Sequence, residues 1–141
     1  MSTNDKIPTA THARDTAEFI EDDDGNVYLS FSTTPGRGYG KSMIPINEIP
    51  SYISFLKKVM DDTTVVTKHD EHSDDMLDVM KRTFQDKDGI LSWKTSTGRG
   101  TKPTRILKSD GEKFVKFLKD ANKEMVEYTS KYIESWLLIN N

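Results

Sequence analysis

The sequence predicts an α+β fold: two β-β-β(-β)-α repeats forming one pseudo-symmetric domain, with antiparallel sheets and helices on one side. Three observations predict it. Shifting the chain by 62 residues lays 28–57 on 90–119 without a gap, and ten of the 30 positions are identical. Each copy carries an acidic, Gly-containing hairpin turn, DDDGN at 22–26 and DKDG at 86–89. Each copy also ends in a stretch whose apolar residues recur at helical spacing.

The elements follow in order. The first strand is expected over 16–22 in copy one and 77–85 in copy two. After the acidic turn comes a second strand, 27–33 (VYLSFST) or 90–96 (ILSWKTS). A turn with Gly-Arg-Gly follows in both copies, then a third strand over 41–46 or 103–108. Asn47 and Ser109-Asp110 are the expected helix caps. The first helix is expected over 48–61, with Ile49, Tyr52, Ile53, Leu56, Val59 and Met60 on one stripe and Pro50 in its first turn. The second starts near 110, with Phe114, Phe117, Leu118 and Ala121 on one face. Its pattern continues through Met125, Tyr128, Tyr132, Ile133 and Trp136, as one long helix or as two segments broken near Asn122.

Residues 1–12 are polar and expected to form a disordered tail. Residues 13–141 are expected to form the single domain: repeat one at 13–62, an acidic linker at 63–76, repeat two at 77–123 and a C-terminal helix extension at 124–141. One three-stranded sheet with one helix is marginal alone, and two copies in one chain can share a core.

Composition narrows the function. The chain has 141 residues and no cysteine, which excludes disulfides and thiolate metal sites. No apolar run approaches the ~20 residues of a membrane span, so no membrane partner is expected. MSTNDKIPTA lacks the apolar stretch of a secretory signal, and the expected location is the cytoplasm: nucleoid-associated, or in a host cell's cytoplasm for a viral protein. Net charge is −3, unevenly spread. Residues 1–78 hold 7 Lys/Arg against 15 Asp/Glu, residues 79–123 hold 12 against 5, and residues 124–141 hold 1 against 3. The basic block can meet a polyanion, because surface fields act over a Debye length of ~8–10 Å and not over the chain average.

The candidate binding residues lie on the open strands and turns. Val27, Leu29 and Phe31 alternate with Tyr28, Ser30 and Ser32; Leu91 and Trp93 alternate with Ile90, Ser92 and Lys94. The Leu/aromatic faces suit the helices, with Phe31 and Trp93 expected in the core. The other faces are left for solvent or a ligand. Around them gather Arg37, Lys41, Lys81, Arg82, Lys94, Arg99, Lys102 and Arg105, with Tyr28, Tyr39 and Phe84 as aromatics that have no evident core duty. Basic side chains interleaved with rings suit single-stranded nucleic acid: unpaired bases stack for ~1–3 kcal/mol each while Lys and Arg track the phosphates. A duplex would instead invite a helix into its major groove. The lysines at 113, 116, 119 and 123 read as a solvated helix face.

PGRGYGKSMIPINEIPSYISFLKKV (35–59) resembles the end of a positive-cofactor-four single-stranded-DNA-binding domain, where a strand runs through a short cap into a helix. The same segment is similar to the Pur-alpha repeat, and Whirly proteins share that architecture. The resemblance covers both copies, roughly 14–62 and 77–123. It implies curved sheets that hold a single strand, with two repeats in one chain as in Pur-alpha. By position, Arg37, Lys41, Arg99, Lys102 and Arg105 would contact phosphates, while Tyr28, Ser30, Ser32, Arg82 and Lys94 would line the groove. Copy one lacks a second basic residue after Arg37 and carries Asp22, Asp23 and Asp24 in its hairpin, so copy two is the main electrostatic platform.

No enzymatic signature emerges. His69 and His72 are three apart in the acidic linker, with no recognisable third ligand. GYGKS at 38–42 leads into a strand rather than a helix and lacks phosphate-loop spacing. The expectation is a non-enzymatic single-stranded DNA-binding protein, without cofactor or metal, acting in replication, recombination or transcription. RNA is the alternative ligand. A protein-interaction module using the C-terminal helix is the rival class, and the same helix, ending in SWLLINN, is expected to support a homodimer.

Overall fold

The computed structural model describes residues 7–34, 41–61, 76–94 and 103–140, with side chains as far as Met125. The described residues form an α+β arrangement of four helices and two antiparallel three-stranded sheets. The first half comprises α1 (Ala10–Thr16), β1 (Glu18–Glu21), β2 (Val27–Phe31), β3 (Ser42–Pro45), a 3-10 turn (Ile46–Glu48) and α2 (Ile49–Asp61). The second comprises α3 (Met76–Thr83), β4 (Gln85–Lys87), β5 (Ile90–Trp93), β6 (Thr104–Leu107), a 3-10 turn (Lys108–Asp110) and α4 (Gly111–Asn140).

The two sheets are paired alike. In the first, Leu29 lies opposite Ile44 and Phe31 opposite Ser42. In the second, Leu91 lies opposite Ile106 and Trp93 opposite Thr104, each of the four positions 62 residues further on. The helices pack reciprocally: α1 meets α4, α3 meets α2, and α2 lies against α4. The first helix of each half therefore packs on the last helix of the other.

The core confirms which strand faces are apolar. Leu29, Phe31, Ile44, Leu91, Trp93 and Ile106 are each about 1% exposed or less, and they join Ile49, Tyr52, Leu56, Phe114 and Leu118 in one cluster. Phe31 sits 5.6 Å from Phe114 and 5.4 Å from Phe117, and Trp93 sits 5.8 Å from Phe114. Such tilted ring pairs each add ~0.5–1.5 kcal/mol beyond the area they bury. Phe31 and Trp93 are core residues, as expected from their alternation.

The element expected as a strand over 77–85 is instead α3. Its alternating pattern is also a helical one: Met76, Val79, Met80 and Thr83 share a face, and Val79 and Met80 are fully buried. Thr83 ends it by donating its hydroxyl to the Val79 carbonyl at 2.6 Å, and it accepts the Lys94 N–H at 2.8 Å. The same device ends α1, which takes the start of the strand expected over 16–22. Thr16 donates to the His12 carbonyl at 2.9 Å and accepts the Ser32 N–H at 2.8 Å.

Residues 7–12, expected to be disordered, are built into the fold. Pro8, Ala10 and Ala13 are buried. The Thr9 N–H donates to the Thr33 carbonyl at 2.9 Å, and the Leu107 N–H donates to the Pro8 carbonyl at 3.5 Å, so the segment bridges both halves. Asp110, expected to cap its own helix, accepts the Ala10 N–H and satisfies a free donor at the start of α1. At the other expected cap, Asn47, a 3-10 turn with no side-chain cap leads into α2. Phe84 also has a core duty: its ring lies edge-on to Phe55 at 5.3 Å and stacks on Trp93 at 6.3 Å. The two-way choice at Asn122 resolves to one helix, because α4 is continuous from Gly111 to Asn140.

Candidate nucleic-acid interface

Residues paired across antiparallel strands share a face, so the registers define the faces turned away from the helices. On the first sheet that face carries two rows, Glu18–Ser30–Met43 and Ile20–Tyr28–Pro45. On the second it carries Gln85–Ser92–Arg105 and Lys87–Ile90–Leu107. The two surfaces differ in charge. The first has Glu18 with the nearby acidic hairpin, and the second has Lys87 and Arg105 with exposed Lys94 just beyond β5.

The acidic hairpin is organised around Asp22. Its carboxylate accepts the Asn26 N–H at 2.9 Å and the Asp24 N–H at 3.0 Å. The Asn26 backbone bond is the largest of the effects that hold its carboxyl below the usual range. The Tyr28 hydroxyl donates to Asp22 Oδ2 at 3.2 Å. Desolvation first, and this bond next, raise the phenol above its ordinary value. Tyr28 thus lies on the outer face with its ring half-buried and its hydroxyl tied to the hairpin.

The other expected contacts divide. Arg105 projects from the outer face of β6 beside Ser92, and Lys94 flanks the same sheet, so these two are brought together. Lys41 is exposed but ion-paired with Glu18 at 3.0 Å, which reduces its charge toward a ligand. Ser30 is only 1% exposed, so it cannot line an open groove. Ser32 lies beyond β2, and its hydroxyl donates to the Thr34 carbonyl at 3.0 Å. Lys81 and Arg82 belong to the last turn of α3, not to a strand, and so leave the expected row of strand residues. Arg37, Tyr39, Arg99 and Lys102, together with His69 and His72, lie outside the described residues.

Lys87, Ile90 and Leu107 join the surface although they were not among the candidates. The sequence signal was the hairpin register, which places Lys87 opposite Ile90. Lys113, Lys116, Lys119 and Lys123 are exposed along α4, as a solvated face requires. Among the described residues, no group of three or more His, Asp or Glu is placed to hold a metal ion, and no helix is long and apolar enough to cross a membrane. Comparison with models of known protein families, with curated proteins and with solved structures finds no match.

Proposed function

We propose that the chain is a duplicated, pseudo-symmetric, non-enzymatic protein that binds single-stranded DNA on the outer faces of its sheets. The observation that carries this reading is the outer face of the second sheet, where Lys87 and Arg105, with neighbouring Lys94, share a surface with the partly exposed Ile90 and Leu107. Cations there would track phosphates, while the apolar surface receives bases or sugars. The first sheet offers Tyr28 as a ring, with Glu18 and Asp22 limiting its appeal to a polyanion. The duplication is supported by the 62-residue recurrence of register and by the shared Thr16 and Thr83 helix ends. Roles in replication, recombination or transcription, and residence in the cytoplasm, belong to this proposal, as does a homodimer through the C-terminal part of α4. Single-stranded RNA is the alternative ligand, since phosphates and stackable bases are common to both.

The test is fluorescence anisotropy with labelled single-stranded DNA, single-stranded RNA and duplex side by side. Binding should favour single strands and fall with salt, at a slope near −0.7 per phosphate neutralised. The pair Lys94→Glu and Arg105→Glu should abolish it, whereas Lys41→Gln should change it little. Absence of salt-sensitive binding at low salt would sink the proposal. An assembly module would be indifferent to the Lys94 and Arg105 reversals.

A further inference from the structure

The two halves differ at one place where their frames coincide. Glu18 lies opposite Ser30 and Gln85 lies opposite Ser92, and each strand follows the same threonine helix end. The counterpart of Phe84 is therefore Ala17, and the counterpart of Phe55 is Phe117, 62 residues on. In the second half the Phe84 ring fills the space beside Phe55, edge-on at 5.3 Å and 90°. In the first half Ala17 leaves that space open. A cavity of about 660 Å³ lies there, with Ala17, Phe19, Leu29, Phe117 and Ala121 as its apolar lining. Phe19, which stands where the other half has Asp86, forms a wall and not a plug.

The volume falls within the ~300–1,000 Å³ of pockets that enclose small organic ligands. It exceeds the need of one side chain. The rim is charged. Glu18 is engaged by Lys41 at 3.0 Å. Arg14, Lys113 and Lys116 line the cavity together with Asp120 and Glu124, so with Glu18 paired to Lys41 the cations outnumber the acids by one. Apolar lining that stands where the other half holds the Phe84 ring, with Arg14, Lys113 and Lys116 also lining it, suits a planar aromatic group that carries an anion.

We propose that this cavity binds a nucleotide, its base taking beside Phe117 the place that the Phe84 ring takes beside Phe55, and its phosphate meeting Arg14, Lys113 and Lys116. The nucleotide is either free or an unpaired residue of a strand. The site lies between α1, β1, β2 and α4, on the helical side of the first sheet, so it does not depend on binding at the outer faces.

The experiment is an NMR titration of the full chain with adenosine and thymidine monophosphates, their nucleosides, phenyl phosphate and a short single-stranded oligonucleotide. The monophosphates should shift the amides of Ala17, Phe19, Phe117 and Ala121. Ala17→Phe rebuilds the arrangement of the other half, and it should weaken binding by about tenfold or more. Lys116→Glu should weaken the monophosphates and leave the nucleosides unchanged, which tests the site even if Ala17→Phe folds poorly. If the oligonucleotide shifts the same amides, the occupant is a strand residue; if monophosphates alone do, it is a free nucleotide. No shift with millimolar monophosphate overturns the inference, as does equal binding of phenyl phosphate. If a strand binds the outer faces while neither it nor the monophosphates move these amides, the inference is overturned and the outer-face reading stands.

Discussion

The hydroxyls of Ser42 and Thr104, 62 residues apart, are hydrogen-bonded to each other in the buried interior. Ser42 lies opposite Phe31 on β3, and Thr104 lies opposite Trp93 on β6. The contact joins β3 of the first sheet to β6 of the second. Removing one hydroxyl strands the other in a site less than a tenth exposed. Ser42→Ala or Thr104→Ala alone should therefore cost ~1–3 kcal/mol, while the double change should cost less than their sum. Urea unfolding of the four proteins measures this, and strict additivity would refute the contact.

The Asp88–Gly89 turn joins β4 to β5 with φ of 55° and 78°. Two positive-φ residues make the hairpin turn that matches strand twist. A Cβ at Gly89 would meet nothing within 4 Å, so only the backbone resists substitution. Gly89→Ala should cost ~1–2 kcal/mol, the penalty of a left-handed conformation for an L side chain. A neutral result in thermal melts would show that the turn relaxes.

Phe84 bridges Phe55 on α2 and Trp93 on β5, contacts that tie the second sheet to the helix of the first half. Phe84→Ala removes both and opens a cavity like the one beside Ala17. The expected loss is ~3–5 kcal/mol by denaturant unfolding. A loss below 1 kcal/mol would place the ring outside the cooperative core.

Much of this was legible in the sequence, and the misses have a physical pattern. The 62-residue offset laid the strands expected at 27–33 and 41–46 on those at 90–96 and 103–108, where β2, β3, β5 and β6 lie, because those strands carry the shared core residues. It did not reach α1 and α3. The hairpin from Thr83 to Lys94 is five residues shorter than the one from Thr16 to Ser32, which breaks the gapless match. Only the threonines and a neighbouring basic residue then align, too little to show a helix. Val79 and Met80, being adjacent, would fall on opposite faces of a strand, whereas a helix turns both toward the core, where they are buried. Surface candidates fared worse than core ones. Ser30 and Lys41 are of the right types, yet neighbours bury the first and neutralise the second, and single-residue periodicity carries no information on either.

Tyr28 and Asp22 give a pH signature. The folded phenol sits above its ordinary value, chiefly by desolvation, and Asp22 adds to this as hydrogen-bond acceptor and as a charge. A raised folded value means stability fully present below the unfolded pKa of ~10 and lost as pH rises through the folded one. For Asp22 the sign reverses: its lowered carboxyl contributes stability above ~3.9 that is lost as pH falls through the folded value. Phenolate absorbance should show one tyrosine titrating late, and Asp22→Asn should move it part of the way back. If that tyrosine is unmoved by Asp22→Asn, the hairpin does not hold the phenol.

Lys57 on α2 and Lys119 on α4, also separated by 62 residues, lie near enough for their side chains to interact. Contact with Lys57, in bonding geometry and as a like charge, lowers the Lys119 ammonium below its usual value. For a basic group the lowered folded value means that the unfolded chain binds the proton more tightly. Stability is therefore depressed at neutral pH and recovers as pH rises through the folded value toward ~10.4. Both groups are exposed on α2 and α4, so solvent and salt screen the effect. Lys57→Gln should raise the melting temperature at pH 7 and low salt. The gain should shrink toward pH 10, and in 1 M salt, where the screening length is ~3 Å. A gain independent of pH and salt would trace to packing or helix propensity instead, and no gain at all would mean that the two ammonium groups keep apart in solution.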